Sequence, residues 1–327
     1  MTSDPQPQFQ GLIGENPAFK QVIEVAAKIA SHSIPVLIEG ESGTGKERLA
    51  RAIHFSSPRK AKEFISIDCS GVSDVLFESE LFGYVRGSFA GAIHDKKGLL
   101  EMADGGTIFF DHIGKIRPSF QAKFLRILNE GTFYKLGGVA QIRVDLRVIA
   151  ATAEDLKPFV LKGKFREDLY YQLNVMRIGI PPLRERRDDI LLLANSFLTE
   201  KAKRNGMLKK VLTKEAETVL ESYDWPGNID QLEKEIEKAA ILAGPSPKIG
   251  RIHLSVSLAK HKQLLDSKFL SSVSLKDQKR KVIALLEKNA IRDALNKTSG
   301  NRTRAAKRLA ISRQELLRKI SAYKIKI

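Results

Sequence analysis

Ile34-Pro35-Val36-Leu37-Ile38-Glu39 runs without a break into Gly40-Glu41-Ser42-Gly43-Thr44-Gly45-Lys46-Glu47, and Arg48-Leu49-Ala50-Arg51-Ala52-Ile53 follows with its apolar residues at helical spacing. A short apolar run, a Gly-x-x-x-x-Gly-Lys turn and a helix form the order that a phosphate-binding loop requires. The glycines let the backbone curl until its N–H groups point inward, the helix start adds partial positive charge, and Lys46 reaches the outer phosphates of a nucleotide. Glu47 stands where a Ser or Thr is usual. A Gly-rich turn with an exposed lysine is the alternative, but the flanking strand and helix favour binding of a nucleotide with its Mg²⁺.

Working outward, the 327 residues carry a formal net charge of +17 and are 43% hydrophobic, enough for a full core and more than one domain. From Lys276 to Ile327 there are 16 Lys/Arg against 4 Asp/Glu, so +12 of the +17 lies in the last 52 residues. That asymmetry predicts a basic tail domain with a polyanionic partner, double-stranded DNA. The single cysteine, Cys69, excludes an intramolecular disulfide and suits a reducing compartment. No apolar run is long enough for a membrane span, and the polar start Met1–Gln10 is no signal peptide. The expectation is a cytoplasmic protein without a membrane partner. About ten residues precede the first element, which leaves no room there for a sensor domain.

Along the chain, Asn16–Ala30 reads as an amphipathic helix. Further strands are expected at Glu63–Asp68, Gly106–Asp111, Val144–Ala150 and Asn174–Ile180, with a helix at Ser119–Leu128. Strands alternating with helices predict an α/β domain with a mostly parallel sheet over 9–180. Asp111, at the end of an apolar strand, is placed to hold the metal ion. After Pro181-Pro182 the pattern is helical: Asp188–Leu198, Thr213–Tyr223 and Asn228–Leu242, the last with Asn228 and Gln231 spaced as a capping box. These form a helical lid over 181–244, followed by a Ser/Lys-rich linker over 245–275. His54, His94, His253 and His261 are isolated and read as surface or core residues, Cys69 as a small hydrophobe, and Trp225 as packing.

The tail, 276–327, reads as an all-α helix-turn-helix domain. Thr303–Leu309 packs through Ala305, Ala306 and Leu309; Ile311-Ser312 turns; Arg313–Tyr323 buries Leu316, Leu317 and Ile320. Arg313, Gln314, Arg318 and Lys319 are expected to face outward on the second helix, its start aimed at base edges, while Arg302, Arg304, Lys307 and Arg308 suit phosphates. A basic solvated hairpin is the alternative. The preceding apolar set Val282, Leu285, Leu286, Ile291 and Leu295 is either core or a dimer surface.

Six motifs occur in order: Gly40–Glu47, Glu80-Leu81-Phe82-Gly83, Ala103-Asp104-Gly105-Gly106-Thr107, Phe165-Arg166-Glu167-Asp168-Leu169, Pro181-Pro182-Leu183-Arg184-Glu185-Arg186 and Trp225-Pro226-Gly227-Asn228. Together they resemble the AAA+ domain of bacterial sigma-54-dependent transcription activators, over about residues 11–243. The tail resembles that family's Fis-type DNA-binding domain, and the short N-terminal segment looks like the phage-shock activator type, which a separate protein controls in trans. The resemblance implies self-association from dimer to hexameric ring, ATP between subunits, and a mobile loop acting on sigma-54-bound RNA polymerase. That loop is Gly87-Ser88-Phe89-Ala90-Gly91-Ala92, with Ala90 where the family has Thr. Glu47 is a residue that the family commonly carries.

The same resemblance marks departures. His112 follows Asp111 where the family has a water-polarising Glu; Asp68-Cys69 replaces Asn-Cys; Ala151-Thr152-Ala153 lacks the sensor Asn. Of two trans-acting arginines Arg166 remains and Gln172 replaces the other, and Asp230 replaces a lid Arg. A general base is worth ~10²–10⁴ in rate and an arginine finger ~10³–10⁵, so hydrolysis is expected to be impaired although binding is retained. The expected function is a DNA-binding regulator that binds ATP but engages sigma-54 poorly, acting as a repressor, as a partner of an active family relative, or as a sigma-54-independent regulator. The alternative is an active ATPase that remodels the polymerase.

Overall fold

The computed structural model describes residues 9, 11–71, 74–205 and 209–255, together with 287, 291, 294, 295, 298, 301–309 and 311–322 near the C-terminus. Five parallel strands form the central sheet: β1 (Val36–Glu39), β2 (Phe64–Asp68), β3 (Thr107–Asp111), β4 (Arg147–Thr152) and β5 (Met176–Gly179). Their spatial order is β2-β3-β4-β1-β5, which puts the strand leading into the glycine loop between β4 and β5.

The sheet is covered on both faces, and β3 shows how its sequence requires that. Ile108 and Phe110 enter one core with Phe120, Phe124 and Leu169, while Phe109 enters the other with Phe19, Ile38, Leu49 and Ile149. Period-two alternation of apolar residues sends neighbours to opposite layers, so a strand buried on both sides reads as a continuous apolar run. The covering helices are α1 (Pro17–Ala30), α2 (Lys46–Phe55), α3 (Asp74–Phe82), α4 (Pro118–Glu130) and α5 (Glu167–Leu173). α1 starts where the Asn16 side chain accepts from the Ala18 N–H at 3.0 Å, with Pro17 in the first turn. It ends against Arg147 of β4, whose buried guanidinium donates to Ala30 O at 2.6 Å and Ile29 O at 2.9 Å. Burial lowers the Arg147 pKa to about 10, with the nearby charge of Arg59 a smaller cause.

The fourth strand begins later than its apolar pattern suggests. Gln141–Arg143 pairs with Thr132–Tyr134 in a separate hairpin, and the sheet strand is Arg147–Thr152. Val144 still packs in the core, from the turn between them, which is why its apolarity looks strand-like.

The lid consists of α6 (Asp188–Asn205), α7 (Lys214–Ser222) and α8 (Asn228–Leu242) around Trp225, whose indole N–H donates to Leu220 O at 2.8 Å. It does not stop at 244. Lys248–Ile249 pairs in parallel with Val211–Leu212, and Ile249 and Leu254 are buried in the lid core. The first residues of the expected linker therefore belong to the lid; 256–275 lies outside the described residues.

The C-terminal unit contains α9 (Arg302–Arg308) and α10 (Arg313–Ala322). Asn301 accepts from the Arg304 N–H at 3.1 Å and Ser312 from the Glu315 N–H at 3.1 Å, so both helices start on side-chain caps. Ile291, Ala294 and Leu295 are buried with Ala305, Ala306 and Leu316, which makes Ile291 and Leu295 core residues; Val282, Leu285 and Leu286 lie outside the described residues.

Arg147→Met keeps the buried stem but strands two helix-end carbonyls, at an expected cost of about 2 kcal/mol. The exposed Arg143→Met should stay within about 0.5 kcal/mol of the parent. Urea midpoints of the two variants check this.

Candidate nucleotide site and helix-turn-helix

The parallel register brings the strand ends to one edge. Asp68 of β2 lies beside Asp111 of β3, and Glu39 of β1 lies beside Thr152 of β4. In an open parallel sheet, that carboxyl edge is where ligands bind.

The loop Gly40–Glu47 adopts the curled form that its glycines predict. Gly43 and Gly45 have φ of 76° and 97°, and Gly45 opens α2 with no side chain capping the first N–H groups. Those donors, with the helix dipole behind them, suit an anion. Lys46 is 6% exposed and donates to Gly40 O at 2.9 Å and Glu41 O at 3.0 Å. Burial lowers its pKa, while the charges of Asp111 and Asp230 oppose that shift.

The lid is docked directly on this loop. The Ile229 N–H donates to Gly43 O at 2.9 Å, and Asn228 Nδ2 donates to Ser42 O at 2.9 Å and Glu41 Oε2 at 3.2 Å. Asn228 Oδ1 accepts from the Leu183 N–H at 2.8 Å. Arg184 pairs with both carboxylate oxygens of Glu41 at 2.7 and 2.8 Å, which holds that carboxyl below its ordinary value. Arg186, fully buried over the ring of Phe19, donates to Thr44 O at 3.1 Å. A β-carbon on Gly43 would stand 2.4 Å from Gly227 O, so only glycine permits this approach.

The expected capping box is displaced. Gly227 is the cap, its N–H donating to Gln231 Oε1 at 2.9 Å, while Asn228 takes φ 50° and gives its side chain to the loop. The roles of Arg184, Arg186 and Asn228 are not evident from spacing; their only signal is that all three fall inside the quoted motifs.

At the sheet edge His112 also has positive φ, 54°. Its N–H donates to Asp111 Oδ1 at 2.8 Å, and its Nδ1 lies 3.0 Å from Asp68 Oδ1 and 3.8 Å from Asp111 Oδ2. Burial raises the Asp68 carboxyl, but the Ser70 N–H and hydroxyl and the His112 imidazole outweigh it, so its pKa is lowered. Burial pushes the Cys69 thiol up, away from reactivity. Thr152 bonds back to Glu154, leaving Ala153 exposed with no polar group to offer.

Arg166 lies apart from this cluster, exposed and bidentate to Asp168 at 3.0 and 2.7 Å, and Gln172 is exposed. The loop Gly87–Ala92 closes through Gly87 N–H to Ala92 O at 2.9 Å. Phe89 is 38% exposed and leans edge-on against Tyr84, and Ala90 is exposed beside it. His54 is a core residue, its Nδ1 2.9 Å from the Thr107 hydroxyl. Among the described residues no group of three or more His, Cys, Asp or Glu could hold a metal ion. In the C-terminal unit Arg302, Arg304, Arg308, Arg313, Gln314 and Arg318 are exposed, Lys319 pairs with Glu287 at 2.7 Å, and the side chain of Lys307 lies outside the described residues.

Profile comparison matches residues 12–179 to the Sigma-54 interaction domain, 184–269 to the AAA+ ATPase lid domain and 282–323 to the bacterial regulatory proteins of the Fis family. The chain belongs to the sigma-54-dependent activators. It is thus a DNA-binding transcription regulator by family, with the AAA+ sheet and lid and the Fis-type helix-turn-helix. Similar members include the transcriptional regulatory protein ZraR of Escherichia coli K12, 42% identical over 311 residues, covering 95% of this chain and 68% of that protein. The Nif-specific regulatory protein of Azotobacter vinelandii is 48% identical over 232 residues, covering 71% of this chain and 44% of that protein. Among solved structures, NtrX from Brucella abortus in complex with ATP superposes with a TM-score of 0.70 at 29% identity, over 96% of this chain and 69% of that one. NtrX in complex with ADP superposes with a TM-score of 0.72 at 28% identity, covering 96% and 70%. No helix among the described residues of this chain is long and apolar enough to cross a membrane.

Asn228→Ala should remove two side-chain hydrogen bonds to the loop and one from the Leu183 N–H, and place alanine at positive φ, costing about 3 kcal/mol in all. The loss reads out as a lowered unfolding midpoint together with faster amide exchange in Ser42–Gly45.

Proposed function

We propose that this chain is a DNA-bound regulator of the sigma-54 activator family whose loop holds an adenine nucleotide and turns it over slowly. The observation that carries the reading is the Asp68–His112 contact. An imidazole 3.0 Å from a carboxylate occupies the position where the family has a water-polarising Glu, and its ring is committed to Asp68.

Binding is supported by the loop itself. The uncapped N–H groups after Gly45 and the amine of Lys46 suit the phosphates, and Leu12, Ile13, Leu193 and Ile229 form apolar surface beside the loop. The NtrX complexes with ATP and ADP, similar in fold, support the choice of nucleotide. Asp111 fits Mg²⁺ as a single carboxylate ligand, an arrangement common for that ion, and Mg²⁺ there would supply charge neutralisation. Slow turnover is supported by what the remaining residues do. His112 is drawn toward Asp68, Ala153 carries no amide, Gln172 carries no charge, and Arg166 is paired with Asp168 in its own chain. A subunit assembling into a ring would have to release Arg166 from that pair before offering it to a neighbouring site.

In the helix-turn-helix, exposed Arg313 and Gln314 at the start of α10 are assigned to base edges, and Arg302, Arg304, Lys307, Arg308 and Arg318 to phosphates. Poor sigma-54 engagement is inferred from Ala90, which lacks the threonine hydroxyl that the family carries after the loop phenylalanine. The second reading, an active remodeller of RNA polymerase, is favoured by Phe89 itself, which remains partly exposed.

Release of labelled phosphate from ATP should run about 10³-fold below that of an active family member, and His112→Glu alone should recover less than about tenfold, because the groups act as a unit. Family-typical turnover by the parent protein would overturn the reading. In gel shifts Arg313→Ala or Gln314→Ala should flatten the preference for the cognate site, while Arg302→Ala should weaken all DNA alike and lower the salt slope by about one.

A further inference from the structure

Asp230 is the third residue of α8 and has an ordinary explanation, since an acid in the first turn of a helix offsets the dipole. Its surroundings go beyond that role. The turn that carries it is fixed to the loop by the bond from the Ile229 N–H to Gly43 O and by Asn228 to Ser42 O. The β-carbon and carboxyl carbon of Asp230 each lie 3.3 Å from where a β-carbon of Gly43 would stand. The turn that carries the carboxylate is thus held beside the middle of the phosphate loop by the same contacts that dock the lid. Asp230 is exposed, and its charge and that of Asp111 both act on Lys46.

The position of that charge decides which ligand suffers. The inner phosphates of a nucleotide are held by the N–H groups at the start of α2, whereas the outermost phosphate depends on the lysine amine. Lys46 is a buried cation on which the charges of Asp111 and Asp230 both act, so the last phosphate has to share it with two carboxylates. Asp111 is compensated when a divalent cation binds there; Asp230 has no hydrogen bond or ion pair among the described residues. Each further phosphate adds negative charge next to it.

We propose that Asp230 makes this site selective for a nucleoside diphosphate over the corresponding triphosphate. The inference rests on the reading above that the loop binds an adenine nucleotide, and adds which phosphorylation state it keeps. A like charge a few ångströms away in a partly solvated site is worth about tenfold in affinity. The lid carboxylate acts as a specificity-determining residue, biasing the chain toward its ADP form whatever its rate of hydrolysis.

The test is calorimetric titration of the full chain with ADP and with a non-hydrolysable ATP analogue, both with Mg²⁺, for the parent, Asp230→Asn, Asp230→Arg and Lys46→Ala. The parent should bind ADP about tenfold more tightly, Asp230→Asn should tighten the triphosphate about tenfold and ADP by less than threefold, and Asp230→Arg should reverse the preference. The parent's preference should shrink as salt rises, which a purely steric role would not produce. Equal tightening of both ligands by Asp230→Asn, or equal affinities in the parent, overturns the selectivity and leaves nucleotide binding standing. If the parent and both Asp230 variants bind neither ligand, as Lys46→Ala should, the nucleotide reading falls and takes the selectivity with it.

Discussion

The contact on which the rest depends is the bond from the Ile229 N–H to Gly43 O, with the Asn228 side chain beside it. It joins the start of a lid helix to the middle of the phosphate loop through backbone atoms, so its donor and acceptor survive any substitution at Ile229 other than proline. It forces glycine at 43, because Gly227 O fills the place of a β-carbon. It fixes the first turn of α8, and with it every side chain that the turn carries. Arg184 and Arg186 add charge to the same joint, one in an exposed pair with Glu41 and one buried against Thr44 O. Exposed pairs of this kind contribute about 0–1 kcal/mol, so the joint is held mainly by its hydrogen bonds and by the apolar lid core behind them.

This arrangement gives the altered residues a common meaning. In the family resemblance the lid senses nucleotide through a cation; here the lid reaches the loop through hydrogen bonds of its own and presents an anion. At the sheet edge, the position where the resemblance implies a water-polarising Glu holds an imidazole tied to Asp68. Both changes fall at the rim of the site and leave intact the groups that hold the loop in shape.

Much of this was legible in the sequence because it rests on local rules. The strand, glycine turn and helix around Lys46 are fixed by periodicity and by glycine's conformational freedom, and the two tail helices by their caps and small packing residues. What was not legible depends on contacts between distant segments. Val144 looked like part of a strand because burial, not strand pairing, demands its apolar side chain. Asn228 and Gln231 had the spacing of a capping box, yet tertiary contact with the loop claimed Asn228 and moved the cap to Gly227. The lid's last strand was hidden in a Ser- and Lys-rich stretch, where two residues suffice to pair. Asp230 was recognisable as an altered charge, but its neighbour across the joint could be seen only in the fold.

The alternation along β3 has a wider consequence. Ile108, Phe109 and Phe110 commit to opposite layers, so sliding the strand by a single residue would drive all three into the wrong environment. The location of Asp111 is therefore dictated by grease on either side of it and owes nothing to the reaction. A scaffold anchored in that way tolerates the rewriting of its chemistry: residues at the rim can be exchanged one after another while the architecture beneath them stays put.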